Sequence, residues 1–133
     1  MDRLLRKFET LRGHVPAPMR DDYEGGSAVG VIAYGTTHWS LLEARAKLQR
    51  EKGITFDYLR LLAFPFTDDV ERFVEEHDRV YVIEQNRDGQ MLAMLRHELP
   101  RVAAKLRSIR HYDGMPVPAR FIINQVVEQE ASA

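Results

Sequence analysis

Cysteine is absent from the 133 residues, which removes disulfides, thiol nucleophiles and cysteine-ligated zinc or iron–sulfur sites from this chain. Charge of one sign is lacking as well. Nineteen lysines and arginines face 20 aspartates and glutamates, a formal net charge of −1. No electrostatic footprint for nucleic acid or an anionic membrane surface is therefore visible. No apolar run approaches the ~20 residues of a transmembrane helix. The charged start MDRLLRK has no apolar centre of the kind a signal peptide needs, so the expected location is the cytoplasm. Neither GxGxxG nor GxxxxGK[ST] occurs, and dinucleotide and P-loop readings lack their glycines. The histidines His14, His38, His77, His97 and His111 are scattered, with no pair at metal-ligand spacing. No metal site is expected.

What is present is a globular composition, 44% hydrophobic and 29% charged. A chain of this length is one ordinary domain, able to bury roughly two thirds of its unfolded surface without staples. Leu4, Leu5, Phe8 and Leu11 fall at helical spacing in a basic segment and predict a short amphipathic helix. Residues 13–27, with two prolines and paired glycines, read as a linker. The expected division is an N-terminal helix and linker over residues 1–27, then a single domain over residues 28–133.

Strands and helices alternate through that domain. AVGVIAY is nearly all apolar, as suits a central parallel strand covered on both faces. Gly35, Thr36 and Thr37 turn the chain into a helix with Leu41, Ala44 and Leu48 on one face and Gly53 as its stop. FDYLRLLAF reads as a second strand ended by Pro65. Thr67 is the expected N-cap of a helix carrying Val70, Phe73, Val74 and His77 on one face, with His77 as a C-terminal cap. The third strand, residues 80–83, precedes a helix from about Asp88 to Leu99 with Leu92, Leu95 and Leu99 inward. LRSIRHY is a charged strand suited to a sheet edge, and Ala119, Ile122, Ile123 and Val126 describe a closing helix after Pro118. The fold class is therefore α/β: a three-layer α/β/α arrangement around a mainly parallel sheet of about four to five strands.

In such sheets ligands gather outside the carboxyl ends of the strands. That rim holds two constellations. Gly35, Thr36 and Thr37 could hold an anion on backbone N–H groups, or could only turn the chain and cap a helix. Glu84, Gln85, Asn86, Arg87, Asp88 and Gly89 set polar residues directly after an apolar strand. In an enzyme, Glu84 would be the acid or base and Arg87 the anion clamp. In a structural role, Asp88 would cap the next helix, Gln85 and Asn86 would satisfy turn backbone, and Arg87 would pair across a domain contact. No histidine or second carboxylate lies nearby in sequence to complete a catalytic couple. Arg101, Lys105, Arg107 and Arg110 form a basic cluster that either attracts a phosphate-bearing or acidic partner or protects an edge strand from stray pairing. Tyr34 and Trp39 are either interface or core residues.

Five segments, VGVIAYGTT, FDYLRLLAFPF, HDRVYVIEQNRDGQM, LRHELP and KLRSIRHYDGMPVPARFI, together resemble the second domain of the alpha subunit of 2-oxoacid:ferredoxin oxidoreductases. They span residues 29–123 in order, and EQNRDGQM followed by LRSIRHYDG is the specific part. The resemblance implies a transketolase C-terminal-like fold with strand order 2-1-3-4. For the complete enzyme it implies thiamine diphosphate, Mg and an iron–sulfur cluster, and conversion of a 2-oxoacid and CoA to acyl-CoA, CO2 and reduced ferredoxin. Those groups are expected in the remaining alpha-subunit domain and the beta subunit, with none in this chain. The chain would be a truncated or detached domain with Met1 an introduced start, inactive alone. Catalytic residues implied: none. Gly35, Thr36, Thr37 and the residues from Glu84 to Gly89 would position neighbouring domains, and the exposed helix over Leu4 and Leu11 would favour a homodimer. The alternatives are an independent α/β binding or signalling module, and the equivalent domain of a thiamine dehydrogenase or transketolase.

Overall fold

The structure is a computed structural model that describes all residues, Met1–Ala133. Its elements are α1 (Asp2–Arg12), β1 (Met19–Asp21), β2 (Val29–Tyr34), α2 (Thr37–Lys52), β3 (Asp57–Leu61), α3 (Asp68–Glu76), β4 (Arg79–Glu84), α4 (Gln90–Glu98), a 3-10 turn (Ala103–Lys105), β5 (Leu106–Arg110) and α5 (Ala119–Ala131). The sheet order is β1-β3-β2-β4-β5. Strands β3, β2, β4 and β5 are parallel neighbours, which is the expected order, and β1 adds an antiparallel edge on β3.

Alternation along the strands sorts the core into two layers. Val31, Ala33, Tyr58, Tyr81, Ile83 and Ile109 meet α2 and α5 on one face. Ile32, Leu59, Val80, Val82 and Leu106 meet α3 and α4 on the other. The central strands read as continuous apolar runs because both faces are covered. Gly30 is the exception, and it has a packing reason: a Cβ built there would lie 2.8 Å from Phe73 and 3.1 Å from His77, so the bare backbone admits α3 against β2.

Several local expectations need correction. The segment read as linker carries β1, fastened to the domain by Arg20 to Glu76 at 2.6 Å and Arg45 to Asp21 at 2.7 Å. Three exposed residues gave no apolar pattern to betray it. β3 stops at Leu61 rather than reaching Pro65, and β5 stops at Arg110 rather than Tyr112. α4 starts at Gln90, after Gly89 in the left-handed region at φ 64°, so Asp88 does not cap it. Thr67 makes no capping bond to the backbone of α3; its hydroxyl donates to Asp69 at 3.3 Å.

Candidate functional site

The chain leaves β2 towards β3 on one side and returns to β4 on the other. The carboxyl ends of β2 and β4 therefore flank the topological switch point, where open α/β sheets usually receive ligands. Here the crevice is bridged. Gln85 donates from its amide nitrogen to Thr37 Oγ1 at 3.1 Å and Thr36 Oγ1 at 3.4 Å. The structure thus brings Thr36, Thr37 and Gln85 together, and neither threonine makes a side-chain cap on α2. Gly35 supplies the turn at φ 60°.

Glu84 sits at the end of β4 with 1% of its surface exposed. Its Oε1 accepts the Met91 N–H at 3.0 Å and its Oε2 accepts the Leu92 N–H at 3.0 Å. A carboxylate on two orphan amides at a helix N-terminus is favourable in hydrogen bonding and in dipole. The helix cap expected of Asp88 is thus supplied by a residue earlier in the chain. The Glu84 backbone carbonyl accepts the His111 N–H at 3.0 Å, so one residue holds β4, α4 and the exit of β5. Burial, reinforced by the Glu84 charge, pushes the neighbouring Tyr34 hydroxyl up.

Asn86, Arg87, Asp88 and Gly89 complete the turn between β4 and α4. Asn86 Oδ1 accepts the Asp88 N–H at 2.8 Å, and Arg87 donates to Asp88 at 2.9 Å while leaving 75% of its side chain exposed. Arg87 O accepts from Arg110 at 2.7 Å. Along the same rim, Trp39 is 70% exposed and Tyr112 is 62% exposed. At this rim both oxygens of Glu84 accept from amides, and His111 pairs with Asp113 at 3.3 Å. The rim offers exposed aromatic and guanidinium groups around a rigid polar seam, the composition of a contact surface.

Two buried polar networks lie elsewhere. Asp57, at the amino end of β3, accepts from Tyr23 N–H at 2.7 Å and from Ser27 N–H at 3.2 Å, and its Oδ2 lies 3.0 Å from His77 Nε2. His77 Nδ1 meets Phe73 O at 2.6 Å, so the expected C-terminal cap of α3 also fastens the segment before β2. At the far end, Arg79 donates to Glu130 at 2.7 Å and Tyr81 donates to it at 2.5 Å, tying α5 to β4. Burial first, then the Glu130 hydrogen bond, raises the Tyr81 hydroxyl to about 12. Sequence reasoning missed both, because the partners lie 20 or more residues apart and each looks like an ordinary surface charge. A hint was available in Asp57, an acid at the head of a mostly apolar strand.

The rim oxygens nearest in kind to magnesium ligands, those of Glu84 and Asn86, already have partners in backbone amides. No group of three His, Cys, Asp or Glu side chains stands together to hold a metal ion. The basic cluster also divides: Arg101 pairs with Glu71 at 3.0 Å and Lys105 reaches Glu75 O at 2.7 Å, while Arg107 and Arg110 belong to β5. No helix is long and apolar enough to cross a membrane.

No protein-family model matches the chain. It is 33% identical over 96 residues to the alpha subunit of 2-oxoacid:ferredoxin oxidoreductase 2 of Aeropyrum pernix, a match covering 68% of this chain and 15% of that protein. It superposes with a TM-score of 0.77 and 25% identity on 2-oxoglutarate:ferredoxin oxidoreductase from Magnetococcus marinus, solved with 2-oxoglutarate, coenzyme A and succinyl-CoA bound. That superposition covers 91% of this chain and 21% of the other. The resemblance carried by residues 29–123 is borne out in sequence and in fold. The chain spans only a small part of the length of either relative.

Proposed function

We propose, from the premise that this chain is akin in sequence and in fold to one domain of the 2-oxoacid:ferredoxin oxidoreductase alpha subunit, that it is an assembly domain without catalytic residues. The parent activity would convert a 2-oxoacid and CoA to acyl-CoA, CO2 and reduced ferredoxin in the cytoplasm. Thiamine diphosphate, Mg and the iron–sulfur cluster belong to the remaining alpha-subunit domain and the beta subunit. In this reading residues 28–133 are the body of the domain, residues 1–27 are its lead-in with β1 added to the sheet edge, and the isolated chain is inactive. The rim residues Gly35, Thr36, Thr37, Glu84, Gln85, Asn86, Arg87, Asp88 and Gly89 form a stiff edge. Trp39 and Arg87 project from it towards neighbouring domains.

One observation carries the reading: Glu84, the buried carboxylate of the rim, has both oxygens on the amides of α4. An acid so held, buried and turned onto the helix amides, acts as a fastening. The test has two arms. Calorimetry of the isolated chain with thiamine diphosphate and magnesium should show no binding. An alpha subunit lacking this domain should regain oxoacid-dependent ferredoxin reduction when the chain is supplied with the other subunits, less so with Trp39→Ala and Arg87→Ala together. Tight cofactor binding by the chain alone, or full activity without it, overturns the proposal.

A further inference from the structure

The α3/α4 face of the sheet is apolar through the middle of its inner strands, with Asp57 and Glu84 at their ends. On β5, Leu106, Ser108 and Arg110 alternate onto that face, opposite Val80, Val82 and Glu84 of β4. Leu106 joins the core cluster, but the next two positions are a serine and an arginine, and the facing positions of α4 include the small residue Ala93. Apolar side chains there would have continued the core. A groove of about 290 Å³ is left instead between α4 and β5, with Arg96 and Arg110 on its walls and Gly89, Ala93 and Ser108 among its lining.

The two arginines, like Arg107 of β5, are held by backbone carbonyls rather than by carboxylates. Arg96 donates to Leu106 O at 3.2 Å and Arg110 donates to Arg87 O at 2.7 Å, so each guanidinium is anchored by a backbone carbonyl. Neither has a carboxylate partner within ion-pair distance, whereas Arg12, Arg20, Arg45, Arg72, Arg79 and Arg101 all do. A carbonyl fixes the direction of the fork without neutralising it, and the remaining N–H groups keep their demand for an acceptor. The Ser108 hydroxyl, on the same lining, is buried with no hydrogen-bond partner. Asp88 also lines the groove, but its carboxylate is engaged by Arg87 at 2.9 Å, and that of Glu84 is directed to the amides of α4. The groove therefore presents two guanidinium groups with no carboxylate in ion-pair distance, above a serine whose buried hydroxyl has no partner.

We propose that the groove between α4 and β5 is a binding site for a phosphate group, taken by Arg96 and Arg110 from opposite walls. Two guanidinium forks on separate elements match an oxyanion with three or more acceptor oxygens; one fork would satisfy a carboxylate. The groove is larger than a bare phosphate, so the group is either the free anion or the terminus of an organic ligand. This site is separate from the bridged crevice at Gln85 and does not depend on the assembly role proposed above.

The test is an NMR titration of the 133-residue chain, with inorganic phosphate and a nucleoside diphosphate in parallel and sodium chloride at matched ionic strength as reference. Expected is a saturable shift of the Gly89, Ala93, Ser108 and Arg110 amides with either phosphate probe and not with chloride. Affinity should fall about tenfold or more in Arg96→Gln and in Arg110→Gln, since each removes a charge-assisted contact, and stay unchanged in the exposed control Arg101→Gln. A tighter fit for the diphosphate, with shifts extending past the groove, assigns the phosphate to an organic ligand; equal affinity assigns it to the free anion. Shifts that fail to saturate, that chloride reproduces, or that survive both substitutions overturn the proposal. Because the two arginines are anchored independently, misfolding of one variant leaves the other as the measurement.

Discussion

Replacing Glu84 by glutamine separates a fastening from a catalyst. The side chain keeps its length and volume, so packing is preserved, but one of two acceptor oxygens becomes an NH2 group. At present Oε1 serves Met91 N–H and Oε2 serves Leu92 N–H, each at 3.0 Å, in a site that is 1% exposed. In Glu84→Gln one amide faces a donor, and the other keeps a neutral bond in place of a charged one. Losing a charge-assisted bond costs about 1.5–3 kcal/mol, and the weakened survivor with the lost helix-dipole attraction adds to it. The expected total is about 2–4 kcal/mol, or a drop in melting temperature on the order of 10 °C for a domain of this size. Urea unfolding measures the total, and hydrogen exchange locates it: the Met91 and Leu92 amides should lose protection before the rest of α4. A stability change under about 0.5 kcal/mol, typical of substitutions away from such features, with unaltered exchange at those two amides, would refute the reasoning and return Glu84 to the list of free acids.

Gly30→Ala should destabilise by about 1–3 kcal/mol through overpacking, because its methyl would stand 2.8 Å from a ring carbon of Phe73 and 3.1 Å from the His77 ring. Combining it with Phe73→Leu should recover part of the loss in a double-mutant cycle, and strictly additive losses would contradict the assigned clash. The acid limb of the stability curve should report Glu130. Its carboxyl is held below the usual 4.5, chiefly by the Arg79 hydrogen bond against an opposing burial effect, with Tyr81 adding. A depressed folded-state value means the unfolded chain takes up the proton first, so the contribution is complete above 4.5 and is lost as pH falls through the folded value. Denaturant melts across the acid range should show a shallower acid limb for Glu130→Gln than for the parent, and parallel limbs would sink the assignment.

The layers of the fold were legible where periodicity is strong. Leu41, Ala44 and Leu48, or Leu92, Leu95 and Leu99, each mark one helical face, and all six are buried. β1 was illegible because a three-residue edge strand with every side chain exposed has no alternation to read. Its attachment depends on backbone pairing with β3 and on long-range partners such as Arg20 with Glu76. Boundaries failed for a related reason: the residues after Leu61 remain apolar, so nothing in composition announced that Leu62 and Phe64 turn outward. At the rim, the polar edge was visible but the partner of each group was not. Glu84 meets residues seven and eight positions later, a spacing that fits no local capping rule, since ordinary caps reach only two or three residues ahead.

The same spacing shows how one short stretch can carry several structural tasks. In EQNRDGQ four side chains or conformations, those of Glu84, Gln85, Asn86 and Gly89, meet separate geometric demands. Glutamate holds the incoming helix by two amides, and glutamine bridges the switch point to Thr36 and Thr37. Asparagine closes the turn on the Asp88 amide, Arg87 O receives Arg110, and Gly89 takes the left-handed conformation at φ 64°. A Cβ at Gly89 would also stand 3.4 Å from the Arg110 side chain, so substituting either residue disturbs the same corner. Arg87 and Gln90, by contrast, are exposed, so the demands fall on four of the seven positions. The consequence for the rim is mechanical: the strand β4, the helix α4 and the edge strand β5 are joined through one turn, so a neighbour that engages Arg87 engages a stiff corner of the domain.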